Sequence, residues 1–264
     1  MKVSSVELLG IRLHAMTAHD LVGAAARSIG DRARCIIGHH NLHSLYLWCH
    51  DQKVRDYYSV ADYIHIDGMS LVLLGRLFGL PLRAEHRTTY VDLLPLLAAE
   101  AARRQWRVFC LGSRPGVAEK AARTLRAEYP GLQIAARDGY FKTDQSGEEN
   151  QAVLADIRGY APDILMVGMG MPRQEMWIAE NLMDIGAHAV FCCGAMMDYV
   201  AGEIPTPPRW FGPLGFEWLY RLFSEPARLW RRYLLEPWVI LICAIKGYYR
   251  SGHLSITVGA NTRE

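Results

Sequence analysis

Most of the motifs that announce a function are missing from this sequence of 264 residues. Its six cysteines form no CxxC pair and none falls at a zinc-type spacing from histidine, so the thiols read as reduced and largely buried. There is no Gly-x-Ser-x-Gly elbow and no cysteine in a glycine-flanked helix start, which leaves acyl transfer without a nucleophile. Neither sign of charge is in excess: the formal net charge is +2, and no nucleic-acid partner is expected. No apolar run reaches the roughly 20 residues of a membrane-spanning helix. The longest near the C-terminus, 238–245, is flanked by Glu236 and Lys246 and can lie on a membrane without crossing it. Residues 1–10 include Lys2 but no continuous apolar stretch before a small-residue cleavage site, so the expected location is the cytoplasm. Internal repeats and low-complexity tracts are also absent, which removes solenoids.

What is present is an alternation of short β-branched runs with longer segments of helical period, the pattern of an α/β fold. The runs predict strands at 35–37, 63–66, 108–111, 132–135, 164–167 and 189–192, short and apolar as doubly covered parallel strands are. Helices are predicted at 91–104, 116–129, 150–158 and 173–183, and the first thirty residues add a strand pair and a helix. Residues 194–215 hold Pro205, Pro207, Pro208 and Pro213 and fit no element of normal length. Beyond them, 216–249 is rich in Arg, Trp, Tyr and Leu and reads as two or three helices broken at Pro226 and Pro237. The expected division is an α/β domain over 1–213 and a helical appendage over 214–264.

Four segments can carry chemistry. In Ile64-His65-Ile66-Asp67-Gly68 an apolar strand ends in a carboxylate, where open α/β sheets bind ligands; Asp67 is either a base or sugar ligand, or the N-cap of the next helix. In 108–116 a strand meets the turn of Gly112 and Ser113 before a helix. That turn can hold a phosphate on backbone N–H groups, or be tight for geometry alone; it does not match GxGxxG. In 163–175 a strand, the glycines Gly168 and Gly170 and a helix start with Arg173, Gln174 and Glu175 offer sugar or nucleotide contacts, or ordinary helix-start residues. Arg228, Arg231 and Arg232 fall at i, i+3 and i+4 among aromatics. They suit a phosphate or anionic lipid, or a solvated face paired with Glu217, Glu225 and Glu236. His39 and His43 stand at i, i+4 without a nearby acid and read as pocket lining rather than a metal site.

Together, Ile66-Asp67-Gly68, residues 87–93, 108–116, Asp138-Gly139-Tyr140-Phe141, 163–175, 194–202, 215–221 and 225–228 resemble the WecG/TagA/CpsF family of bacterial glycosyltransferases, glycosyltransferase family 26. The resemblance spans about 36–233 and rests on the order and spacing of many motifs. It implies a Rossmann-like, mostly parallel sheet with helices on both faces, and a C-terminal helical appendage that associates with the membrane. The implied enzyme is peripheral on the inner face of the cell membrane. It transfers a sugar with inversion from a UDP-sugar to a polyprenyl-pyrophosphate-linked saccharide, with neither metal nor cofactor, in cell-surface or exopolysaccharide synthesis. Asp67 matches the family's catalytic base, Arg87 and Gln174 match pocket positions, and Arg221, Arg228 and Arg231 match basic residues of the appendage. With Asn41, Gly112, Ser113, Asp138, Tyr140, Gly168 and Gly170 these complete the expected substrate-binding set.

Two positions depart from the family pattern. His39 stands where members often carry Thr, so no catalytic hydroxyl is carried over, and Tyr90 replaces the Gly of Arg-x-x-Gly-x-Asp in Arg87-Thr88-Thr89-Tyr90-Val91-Asp92. Both suggest a subgroup with a different sugar pocket. The competing readings are a nucleotide-dependent oxidoreductase, opposed by the missing GxGxxG, and a membrane-peripheral nucleotide-sugar binder without turnover.

Overall fold

The computed structural model describes residues 3–208, 210–251 and 256–260. The chain opens with a hairpin, β1 (Ser4–Leu8) and β2 (Ile11–His14), and then α1 (Ala18–Gly30), begun by a capping box between Thr17 and Asp20. Next come β3 (Cys35–His40), α2 (Leu42–His50), α3 (Gln52–Val60), β4 (Tyr63–Ile66) and α4 (Met69–Leu77). A 3-10 turn at Ala84–His86 precedes α5 (Tyr90–Arg104), β5 (Arg107–Gly112), α6 (Val117–Glu128) and β6 (Gln133–Arg137). Then follow α7 (Glu148–Tyr160), β7 (Ile164–Gly168), α8 (Arg173–Glu180) and β8 (Ala189–Cys192). The chain continues through the short α9 (Met196–Val200) and α10 (Phe211–Leu214), then α11 (Glu217–Ser224), α12 (Pro226–Leu234), α13 (Glu236–Ser251) and β9 (Ile256–Ala260).

The six expected strands form one parallel sheet in the order β4-β3-β8-β7-β5-β6. Side chains alternate along each strand between two cores. Ile37, Cys110 and Met166 face α1, α5 and α6, whereas Ile36, Leu111 and Val167 face α3, α7 and α8. The fold is therefore the Rossmann-like α/β class, and burial on both faces explains why these strands read as continuous apolar runs.

The departures from the expected elements have local causes. Residues 42–60, to which the sequence pattern assigns no element, form two helices. Helix α8 ends at Glu180 rather than 183. The C-terminal helices divide at Pro226 and Pro237 as expected, each proline lying in the first turn of α12 or α13, where a missing N–H costs nothing. The appendage also holds a strand beside its helices, and is therefore not wholly helical as expected. Its strand β9 returns to pair antiparallel with β1, giving a second sheet in the order β2-β1-β9. This small sheet shares a third core with α4 and Ile240 of α13.

Because the large sheet is all parallel, the C-terminal ends of its strands share one edge. There β5 hands on to β6 and β7 hands on to β8 in opposite directions, which opens a crevice where the connections diverge.

Candidate functional site

Asp67 leaves the end of β4 with its N–H donating to the His40 carbonyl at 2.8 Å. It does not cap α4: that place belongs to Gly68 at φ +105, and no side chain caps the helix. The carboxylate instead accepts from Asn41 Nδ2 at 3.2 Å. The Asn41 carbonyl oxygen is occupied by the Ser44 N–H at 3.0 Å in the cap of α2, which orients the amide toward Asp67. His39 Nε2 lies 3.8 Å from the same carboxylate oxygen. Burial alone would raise the Asp67 pKa, but the neighbouring His39 ring, the Asn41 amide, His65 and Arg221 more than offset it. The carboxyl is therefore held below its ordinary value and is ionised at neutral pH.

Two arginines from the C-terminal helices share electrostatic reach of Asp67. Arg221 of α11 stacks over Tyr199 at 5.9 Å, and its buried Nε has no hydrogen-bond partner. Arg232 of α12 is half-buried; burial and then the charge of Arg221 oppose its ionisation, while Asp67 and Glu236 favour it. Arg221 and Arg232 thus place two guanidiniums within electrostatic reach of one carboxylate, an excess of positive charge that suits an anion. Arg228 and Arg231 were also expected to bind substrate. Both are exposed, Arg228 forked onto Glu225 at 2.7 Å and Arg231 lying over Trp230 at 5.3 Å.

Arg87 is engaged by protein. It donates to both oxygens of Glu217 at 3.1 and 3.0 Å and to Asp92 at 3.0 Å, so it pins α11 to the start of α5. Gly212 packs on this guanidinium so closely that a Cβ there would stand 2.5 Å from Nη2.

Toward the other end of the edge the glycine turns stack on one another. A Cβ on Gly112 would stand 2.2 Å from the Gly168 carbonyl oxygen, and one on Gly168 2.6 Å from that of Gly194, so backbone lies against backbone. Ser113 sits at φ +56 and its hydroxyl donates to Asp198 at 2.7 Å. Gln174 does not line the crevice as expected: it is wholly buried, and its oxygen accepts from the N–H groups of Gly170 and Gly194 at 3.2 Å each. It positions two turns whose donors would otherwise be orphaned.

The Gln174 amide in turn donates to Glu175 at 2.8 Å. Burial pushes that carboxyl up to about 7 against the lowering effect of the amide. The unfolded chain loses this proton near the ordinary 4.5 and the folded chain near 7. Stability contributed by the neutral acid is complete below the unfolded value and lost as pH rises to about 7, by about 3 kcal/mol at 1.36 kcal/mol per unit. Glu175→Gln should accordingly raise the unfolding temperature, relative to wild type, by several degrees more at pH 8 than at pH 4.5. Thermal unfolding at the two pH values checks this; an equal gain at both would show that the carboxyl stays ionised in the fold.

The expected set therefore divides. Asn41, Asp67 and Arg221 come together; Gly112, Ser113, Gly168 and Gly170 form a neighbouring group of turns. Asp138 and Tyr140 do not join Asp67. They follow β6 and lie beside the other group of turns, where the Gly139 N–H donates to the Ser113 carbonyl at 3.0 Å. Asp138 there caps its own turn by accepting the Tyr140 N–H at 2.9 Å, and the Tyr140 ring is exposed. Tyr199 and Asp198 were not anticipated, and Arg232, named with Arg228 and Arg231 as a phosphate or lipid candidate, was not carried into the substrate-binding set. For Arg232 a signal existed: it lies three residues after Leu229, the buried residue of α12, and so shares the inward face. His39 and His43 diverge, the former in β3 and the latter bonded to Glu236 at 2.8 Å. Among the described residues no three His, Cys, Asp or Glu side chains converge as a metal site.

A relative from Bacillus spizizenii, named N-acetylglucosaminyldiphosphoundecaprenol N-acetyl-beta-D-mannosaminyltransferase, is 32% identical over 180 residues. The match covers 68% of this chain and 66% of that protein, just under two thirds of its length. The family model described as glycosyl transferase WecG/TagA/CpsF matches residues 6–253. The chain belongs to the WecG/TagA/CpsF family of glycosyl transferases.

Proposed function

We propose that this protein transfers a sugar, with inversion, from a UDP-sugar to a saccharide carried on a polyprenyl diphosphate, in the synthesis of a bacterial surface or secreted polysaccharide. The observation that carries the reading is an ionised Asp67 at the ligand-binding edge of the sheet, in the field of two arginines. A carboxylate there can take the proton of the acceptor hydroxyl as that oxygen attacks the anomeric carbon. The leaving UDP gathers negative charge, and the small-residue turns after β5 and β7 leave room at the edge for its diphosphate. Arg221 and Arg232 suit the diphosphate of the lipid acceptor, since they arise from helices whose outer surface is apolar. The relative's printed name, with a diphosphoundecaprenol acceptor, supports this choice.

We assign 1–213 to catalysis and 214–264 to docking on the inner face of the cell membrane. Phe216, Phe223, Trp230, Leu234, Trp238 and Leu241 are exposed along the C-terminal helices, interleaved with the exposed Arg228 and Arg231. This mixture suits the interface of an anionic bilayer. Among the described residues no helix is long and apolar enough to cross a membrane.

The test is a panel of UDP-sugars with a polyprenyl-diphosphate saccharide, reading UDP release and the mass of the lipid product. One sugar should give release together with a matching mass gain. UDP binding without release from any sugar would replace the transferase by a binder.

A further inference from the structure

His39 stands behind Asp67, and its hydrogen bonding identifies which ring nitrogen carries the proton. Nδ1 lies 3.1 Å from the Cys192 carbonyl oxygen. That oxygen can only accept, so Nδ1 is the protonated nitrogen of the neutral ring. Nε2 is then bare, and it is this nitrogen that faces Asp67 Oδ2 at 3.8 Å. Two acceptors confront one another with space for one proton between them, a separation that hydrogen bonds at catalytic sites commonly close when substrate binds. The ring is held in place: it is buried, in register with His65 across β3 and β4, with ring centroids 5.5 Å from His65 and 5.9 Å from Tyr90.

The titratable and charged groups around it are His40 on its own strand, Asp67 and His65 from β4, Tyr90 from α5, Cys192 from β8 and Arg232 from α12. Burial lowers His65 to about 3, lowers His40, and raises the Tyr90 phenol and the Cys192 thiol, so all four are neutral near pH 7. The charges left to act on the ring are Asp67, which favours its protonation, and Arg232, which opposes it. Burial keeps the ring itself below its ordinary value, hence able to accept.

We infer that His39 is a positioning residue that draws the acceptor's proton through Asp67, an inference that rests on the transferase reading above. The acceptor O–H bond breaks as its oxygen bonds to the anomeric carbon. The bond from that carbon to the diphosphate oxygen breaks and its electron pair leaves with UDP. The proton passes to Asp67 Oδ2 and on to His39 Nε2, while Nδ1–H stays on the Cys192 carbonyl. Asp67 is thereby restored as a carboxylate beside an imidazolium.

His39→Gln keeps an amide toward Asp67 but cannot take a proton. Its kcat should fall about 100-fold, with KM for donor and acceptor changed less than about threefold. The acid limb of kcat/KM should move to lower pH, because the wild-type limb reports the ring and the variant's reports the carboxylate alone. A merely structural role would leave the limb in place; an unmoved limb, or kcat within about threefold of wild type, overturns the inference. A second measurement needs no turnover. Nitrogen-15 NMR of the histidine rings in Asp67→Asn should show the His39 pKa lowered, and an unchanged pKa also overturns it. Absence of any transfer by the wild type would defeat the transferase reading and the proton's route with it. That failure is told apart by the NMR titration, which decides the pairing by itself.

Discussion

Asp67→Asn should lower transfer about a thousandfold, within the usual range for removing a general base, while the affinity for UDP stays within about a factor of two. The substitution keeps the shape of the side chain, and its oxygen can still accept from Asn41 Nδ2, so the end of β4 and the cap of α2 stay as they are. What it removes is the charge that receives the acceptor proton. The same loss leaves Arg221 and Arg232 without their nearest carboxylate at the edge, which favours an incoming diphosphate rather than opposing it. Turnover measured as UDP release with the lipid acceptor, beside a calorimetric titration with UDP, separates the two effects. Turnover near the wild-type level would remove Asp67 from the base's role.

Arg221→Met and Arg232→Met should each lower use of the lipid-linked acceptor about 100-fold, the scale on which a single preorganised donor at a developing or bound charge acts. Methionine keeps most of the apolar stem, so Tyr199 and Tyr233 retain their packing partner and the loss reports the guanidinium. UDP affinity should change far less than the KM and kcat measured with the lipid acceptor. Equal losses in both would move the pair to the donor's diphosphate. The contrasting pair, Arg228→Gln and Arg231→Gln, should weaken sedimentation with anionic vesicles and lower turnover in detergent by no more than about twofold, in keeping with the modest worth of exposed charges. A large loss in detergent would instead bring those two side chains into the site.

The large sheet was legible because each of its strands is buried on both sides, so position in the sheet and apolar composition coincide. Helix α2 was not. Its sequence Leu42–His50 packs toward two different cores, with Trp48 touching both, and this double covering erases the polar stripe that marks a surface helix. Strand β9 was illegible for another reason: five residues acquire their conformation by pairing with β1 at the opposite end of the chain, and nothing local records that partner. The site was legible where a residue's role follows from its strand end, as for Asp67 and Asn41. It was not legible where a role depends on how a helix is turned, which is why Arg232 was passed over for Arg231. Gln174 shows the converse limit. Its place in the first turn of α8 was foreseeable, but the demand of two glycine N–H groups for an acceptor arises only when the turns after β7 and β8 meet.

The fastening of the C-terminal helices bears on how a buried lipid can reach a polar site. Near Gly212 and Glu217 they are held by Arg87, at Glu236 by His43, and beyond Ser251 by the pairing of β9 with β1. A segment moored at both ends and in its middle cannot swing outward like a free arm. It can only rock, so on the membrane docking proposed above a tilt of α13 would be passed to α11 and α12, and through them to the distance between the arginines and Asp67. On that proposal, mechanical load on these helices and the width of the crevice would become one coordinate.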